Sequence, residues 1–265
     1  MQFMNVDGVS HHYQVIGAPD GKPTIVFVNS LGTDFRIWRD VIVKLVGEAE
    51  IVCYDKRGHG LSDLGDTPYK VETLAGDLAG LLDGLGVSQA IVVGLSVGGL
   101  IAQCLYRERP DLVRALVLVG TAAKIGDDAM WPDRIAAVER DGVGPLLDRI
   151  MGMWFTLRFH EERPAELAGY RNMVARQPQE GYVATCKALR DADLRADAPD
   201  IAVPTICIVG KEDGATPPAV VLELAKSIPD ARYEVIEGAA HIPCVERPDW
   251  LVEIIRAFLK DAQIS

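Results

Sequence analysis

Gly94-Leu95-Ser96-Val97-Gly98 is the segment of this sequence most able to do chemistry. It follows the apolar run Ile91-Val92-Val93 and opens a helical pattern, so Ser96 falls on a strand-to-helix turn. Such a turn is too sharp for side chains at its flanks, which accounts for glycine at 94 and 98, while Gly99 lets the helix approach the sheet. A hydroxyl is a poor nucleophile until a base takes its proton. Of the five histidines, His11 and His12 lie in an N-terminal hairpin, expected at a solvated sheet edge. His160 sits beside Glu161 and Glu162 and reads as a surface residue. His59 follows a strand and is a rival, but His241 fits better, between the strand pattern at 233–236 with its Gly238-Ala239-Ala240 loop and a final helix. The orienting acid is expected at another strand end: Asp213, in Lys211-Glu212-Asp213-Gly214, with Glu212 as the alternative. After the run at 115–119 only Gly120-Thr121-Ala122 follows, with no carboxylate.

Attack by Ser96 on a carbonyl would develop charge on oxygen, which preorganised N–H donors stabilise. One donor is expected from the backbone of Val97, the other from Leu31 in Asn29-Ser30-Leu31-Gly32-Thr33-Asp34. The same loop also reads as an ordinary strand-to-helix connection capped by Thr33 or Asp34, and the two readings are compatible.

The elements that must position these groups are visible as alternating patterns. Asp7-Gly8 marks a hairpin between apolar-rich runs at 3–6 and 9–16. Apolar, β-branched runs recur at 24–29, 51–54, 90–93, 115–119, 205–209 and 233–236, mostly continuous as in strands buried on both faces. Helical patterns lie at 35–47, 71–85, 97–109, 217–228 and 248–260, with Pro217 and Pro248 placed as first-turn prolines. In the second of these Asp77, Leu78, Leu81, Leu82 and Leu85 have helical spacing. Strands alternating with helices predict a mostly parallel eight-stranded sheet flanked by helices, an α/β class. Residues 121–199 break the alternation with helical periodicity and Trp131, Trp154, Phe155, Tyr170 and Tyr182. They are expected to form a helical lid inserted after strand 6, over a core of 1–120 and 200–265 within one domain.

Composition restricts the partners. The formal net charge of -11 disfavours non-specific attraction to nucleic acid or anionic lipid. No apolar run approaches the ~20 residues that span a bilayer, so no membrane segment is expected. The first residues lack a basic segment followed by an apolar one, and the five cysteines show no CxxC spacing, Cys53 and Cys207 lying in strand-like runs. Together these features predict a cytoplasmic protein. Nothing in the sequence sets an oligomeric state.

The order Ser96, Asp213, His241 is that of the α/β-hydrolase fold. Within that superfamily the chain resembles the 3-oxoadipate enol-lactonases along essentially its whole length. The resemblance rests on Asn29-Ser30-Leu31-Gly32-Thr33-Asp34, Tyr54-Asp55-Lys56-Arg57-Gly58-His59-Gly60-Leu61-Ser62 and Gly94-Leu95-Ser96-Val97-Gly98-Gly99. It continues in Thr121-Ala122-Ala123-Lys124-Ile125-Gly126, Trp154-Phe155 and Ala192-Asp193-Leu194-Arg195. Asn29-Ser30 stands where many superfamily members carry His-Gly, as in the enol-lactonase subgroup, and Ser96 excludes the aspartate-nucleophile branches. The resemblance implies hydrolysis of 3-oxoadipate enol-lactone through an acyl-enzyme, with neither metal nor organic cofactor. An esterase, another lactonase, a cofactor-free perhydrolase and a non-catalytic binding protein share the scaffold. An anionic lactone calls for a cation in the pocket. The lid carries 11 Lys and Arg against 13 Asp and Glu, and Arg134, three residues after Trp131, is either that clamp or part of a solvated helix face. Trp131 and Trp154 either wall the pocket or pack the lid; Arg57 is expected to tie down its own loop.

Overall fold

The computed structural model describes residues 1–265 except Pro19, Asp128 and Ser265. Eight strands form one sheet: β1 (Gln2–Val6), β2 (Val9–Ile16), β3 (Thr24–Val28), β4 (Glu50–Tyr54), β5 (Ala90–Leu95), β6 (Val113–Val119), β7 (Thr205–Gly210) and β8 (Arg232–Ile236). Their order is β1-β2-β4-β3-β5-β6-β7-β8. The hairpin β1–β2 joins antiparallel, with Asp7 and Gly8 at positive φ in its turn, and every pair from β4 to β8 is parallel. All six residues of β5 and all six of β7 are buried, as continuous apolar runs between two helical layers require.

Helices α1 (Arg39–Leu45), α2 (Val71–Leu85), α3 (Val97–Glu108), α9 (Pro218–Ser227), α10 (Pro243–Glu246) and α11 (Pro248–Asp261) surround the sheet. Between β6 and β7 lie α4 (Met130–Asp141), α5 (Leu147–Trp154), α6 (Leu157–Glu162), α7 (Pro164–Ala175) and α8 (Gln179–Asp191). This is the helical insertion expected after strand 6. In α11, Leu251, Val252, Ile255 and Phe258 form the buried stripe of an amphipathic helix. The pattern at 35–47 divides into a 3-10 turn at Phe35–Trp38, where the Asp34 side chain accepts from the Arg36 N–H, and the short α1.

One placement differs from the sequence reading. His11 and His12 are buried at 0% and 7% exposure, not solvated. His12 Nδ1 lies 2.8 Å from Asp55 Oδ2, with its ring flanked by Phe3 and Phe35, and His11 Nε2 lies 3.5 Å from Asp77. Most of the cover comes from far away in sequence, from Phe35, Asp55 and Asp77. Arg57 ties down its own loop as expected, anchoring it to α2 through two 2.5 Å contacts with the buried Asp77.

Register lines up the carboxyl ends of the central strands. Val28 pairs with Gly94, Leu95 with Val119, Val119 with Ile208, and Gly210 with Ile236. The loops bearing Leu31, Ser96, Thr121, Asp213 and His241 therefore leave one edge of the sheet together.

Candidate active site

Ser96 has φ 59 and ψ -119, a conformation that L-residues rarely adopt and that costs about 1–3 kcal/mol where the surroundings impose it. The imposition is visible. Ser96 N–H donates to Val119 O at 2.9 Å, and Thr121 Oγ1 donates to Ser96 O at 2.7 Å. A Cβ at Gly98 would stand 2.2 Å from Val28 O, and one at Gly94 would stand 2.3 Å from Gly98 O. Backbone cannot yield as a side chain end does. Gly98→Ala is therefore expected to destabilise the fold by at least about 3 kcal/mol, or to prevent soluble expression. Equilibrium denaturation in urea measures this; an unchanged midpoint would contradict the close approach.

Asp213 and His241 meet in the interior, at 4% and 1% exposure. His241 Nδ1 and Asp213 Oδ2 are 2.9 Å apart. The carboxylate is fully engaged: Ala215 and Thr216 N–H groups donate to Oδ1 at 2.8 Å each, and Thr216 Oγ1 donates to Oδ2 at 3.0 Å. Glu212, the alternative acid, is exposed. A Cβ at Gly120, next to Val119 and so beside Ser96, would stand 3.0 Å from Asp213 Oδ2 and 3.2 Å from His241 Nδ1. The Ser96 hydroxyl itself makes no hydrogen bond among the described residues. Contacts of this kind commonly tighten only with substrate bound.

The backbone N–H groups of Leu31 and Val97 likewise donate to nothing among the described residues. Val97 is the first residue of α3, where N–H groups have no intrahelical partner. The neighbouring Gly32 N–H is taken by His59 Nε2 at 3.0 Å. His59 is fully buried, and burial, reinforced by the Lys56 charge, holds it well below the ordinary imidazole range. The rival histidine thus faces the Leu31 loop and is bound to its backbone.

Several side chains that sequence reasoning passed over brace this arrangement. Glu246 accepts from Ala240 N–H at 2.7 Å and from Thr156 N–H and Oγ1 at 3.0 and 2.7 Å, joining the His241 loop to the insertion. Burial raises its carboxyl above the usual range despite these donors. Ile242 N–H donates to Trp154 O at 3.3 Å, and Gly214 packs on Met153. Only the acidic residue five positions after His241 could have hinted at Glu246; Thr216 and Lys56 carry no pattern.

Trp131 and Trp154 are buried, at 4% and 5% exposure. Trp131 Nε1 donates to Ile125 O at 2.7 Å, and the Trp154 ring meets Phe155 edge-on. Arg134 is half-buried rather than on a solvated face. Its guanidinium lies 5.6 Å from the ring centres of both Trp131 and Tyr182 and donates to the Tyr182 hydroxyl. Its Nε is buried without a partner, and no carboxylate lies within ion-pair reach of it among the described residues. The Tyr182 ring in turn lies against Gly32, beside Leu31, so that a Cβ there would stand 3.1 Å from it. Among the described residues no group of three or more His, Cys, Asp or Glu side chains could hold a metal ion, and no helix is long and apolar enough to cross a membrane.

A serine held at positive φ on a strand-to-helix turn, an Asp–His pair at later strand ends and an eight-stranded mostly parallel sheet define a class, and the family model of the α/β hydrolase fold matches residues 23–248. The chain belongs to the α/β-hydrolase family. It is similar to 3-oxoadipate enol-lactonase 2 of Acinetobacter baylyi, with 34% identity over 97% of this chain and 96% of that protein. The crystal structure of the enol-lactonase from Burkholderia xenovorans superimposes with a TM-score of 0.94 at 37% identity, covering 98% of this chain and 100% of that one. A thermophilic esterase from Thermogutta terrifontis is more distant, with 26% identity, a TM-score of 0.92 and 99% of each chain covered.

Proposed function

We propose that this hydrolase opens 3-oxoadipate enol-lactone to 3-oxoadipate through an acyl-enzyme on Ser96. The observation that carries the chemistry is the 2.9 Å Asp213–His241 contact at the strand ends beside the strained Ser96. Ser96 Oγ attacks the lactone carbonyl while His241 Nε2 accepts its proton, and the N–H groups of Leu31 and Val97 bind the oxyanion. Collapse breaks the ring C–O bond. The departing enol oxygen, a better leaving group than an alkoxide, takes the proton from His241 and the enol becomes a ketone. Water, deprotonated by His241, then releases the acyl group. Asp213 keeps the imidazole oriented and stabilises its cation. The scheme draws on side chains, backbone and water alone, and fits a step in protocatechuate or catechol breakdown.

The choice of an anionic lactone rests on the similarity to enol-lactonases and on Arg134. A guanidinium that is half-buried, stacked between two rings and without a carboxylate suits a substrate carboxylate. Trp131 holds the guanidinium from one side, and Trp154, whose carbonyl braces the residue after His241, closes the apolar wall. Loss of one charge-assisted contact costs about 1.5–3 kcal/mol. With enol-lactone generated in situ from a carboxymuconolactone, Arg134→Met should raise KM roughly 10- to 100-fold. Turnover of a neutral nitrophenyl ester should change less than about threefold, since that ester makes no such contact. Equal losses on both substrates would remove Arg134 as the clamp. Wild-type turnover of the ester but not of the enol-lactone would make the protein a simple esterase.

A further inference from the structure

Lys56 is a buried cation that the scheme above leaves unused. Its side chain follows β4, is 1% exposed, and sends Nζ to Ser30 O at 2.6 Å and, more loosely, to Thr33 O at 3.4 Å. No carboxylate lies within 4 Å of it among the described residues. The two acidic groups that attract it from farther away are committed elsewhere. Asp34 holds the Arg36 side chain and N–H, and Asp55 holds His12 and the N–H groups of Phe35 and Leu61. His59, the other titratable neighbour, is kept neutral. Burial depresses the Lys56 ammonium to about 7, with Asp55 and Asp34 opposing the shift. A charge buried against carbonyls alone is costly, and an apolar chain of the same length would fill the space without that cost.

The peptide it grips is the informative part. Ser30 O and Leu31 N–H belong to one trans amide, in which carbonyl and N–H point in opposite directions. Three donors hold the oxygen: Lys56 Nζ, Thr33 Oγ1 at 2.9 Å and Thr33 N–H at 3.3 Å. The next amide is turned aside by His59. The Leu31 N–H, on the far side of this amide, donates to nothing among the described residues. A cation on the carbonyl draws electron density from the amide and strengthens the N–H on its far side as a donor.

We infer that Lys56 is a positioning residue for the oxyanion hole, fixing and polarising the Ser30–Leu31 amide from behind so that its N–H meets the developing charge. This rests on the reading of Leu31 and Val97 as the oxyanion donors. Because the N–H strengthens an interaction made in the transition state, its loss should appear in kcat rather than KM.

The test compares wild type, Lys56→Met, Lys56→Gln and Ser96→Ala on one nitrophenyl ester, together with inhibition by an arylboronic acid. The boronic acid forms a tetrahedral serine adduct and so reads the oxyanion site without turnover. For Lys56→Met, kcat should fall at least tenfold with KM within twofold, and boronate affinity should fall in step. Lys56→Gln, which keeps a donor but not the charge, should lie between. Ser96-dependent turnover with wild-type kcat in folded Lys56→Met overturns the inference alone, as does a kcat loss with unchanged boronate affinity. Turnover that survives Ser96→Ala overturns both this inference and the acyl-enzyme reading. Should neither Lys56 variant fold, Thr33→Val removes a second donor to the same oxygen and leaves the cation in place. A threefold or larger fall in kcat with parallel loss of boronate affinity supports the inference, and an unchanged kcat overturns it.

Discussion

Ser96→Ala should lower kcat on any ester or lactone substrate by roughly 10⁴- to 10⁶-fold while leaving the fold intact. The substitution deletes one oxygen, and in this structure that oxygen bonds to nothing among the described residues. The contacts that hold position 96 are made by its backbone, to Val119 and from Thr121, and alanine keeps them. Alanine also keeps the unfavourable φ of 59, so the variant should melt within a few degrees of wild type. Stability and activity therefore separate cleanly. Residual turnover of about 10³–10⁴ over water would still come from the oxyanion donors and substrate positioning. A variant retaining more than a few per cent of wild-type kcat in a steady-state assay would show that Ser96 is not the nucleophile. A wild type that binds small molecules but turns over no ester would instead mark a receptor on a hydrolase scaffold, since fold alone does not guarantee chemistry.

What could be read from the sequence follows the range of the interactions involved. Ser96 was legible because its constraint is local: the strand, the glycines and the helix that force the elbow all lie within about ten residues. Asp213 and His241 were legible as groups at the ends of apolar runs, because parallel strands deliver such ends to one edge. The sheet and the helical insertion after strand 6 were legible from the alternation itself. The missed features depend on contacts across the sheet. His11 and His12 look solvated in a hairpin because nothing nearby in sequence announces that Asp55, Phe35 and Asp77 will cover them. Lys56 and Arg57 are adjacent, yet one turns inward to Ser30 and the other toward Asp77 on α2. Two successive cations with opposite assignments leave no periodic trace. Arg134 reads equally as a clamp or a solvated-face residue, and what takes it off the solvated face is a contact with Tyr182, 48 residues away.

Asp213→Asn is the more discriminating change, because it keeps size and shape while removing the charge and turning one acceptor into a donor. The surroundings decide how the amide must lie. The Oδ1 position receives two backbone N–H groups, from Ala215 and Thr216 at 2.8 Å each, and these cannot reverse. An asparagine must therefore place its oxygen there and turn its NH₂ toward Thr216 Oγ1 and His241 Nδ1, which Asp213 Oδ2 now meets at 3.0 and 2.9 Å. The Thr216 hydroxyl can rotate to accept. The imidazole can accept at Nδ1 only by moving its proton to Nε2, the nitrogen required to take the proton from Ser96. The base is then occupied by the wrong tautomer, and the imidazolium that forms during attack loses its counter-charge. A loss of about 10⁴ in kcat is expected at neutral pH, with KM little changed. A thermal melt close to that of wild type is also expected, since every backbone contact survives. The alternative acid separates in the same assay: Glu212 is exposed and reaches neither His241 nor Ser96, so Glu212→Gln should leave kcat within about twofold. Reversal of the two results would move the orienting role from Asp213 to Glu212.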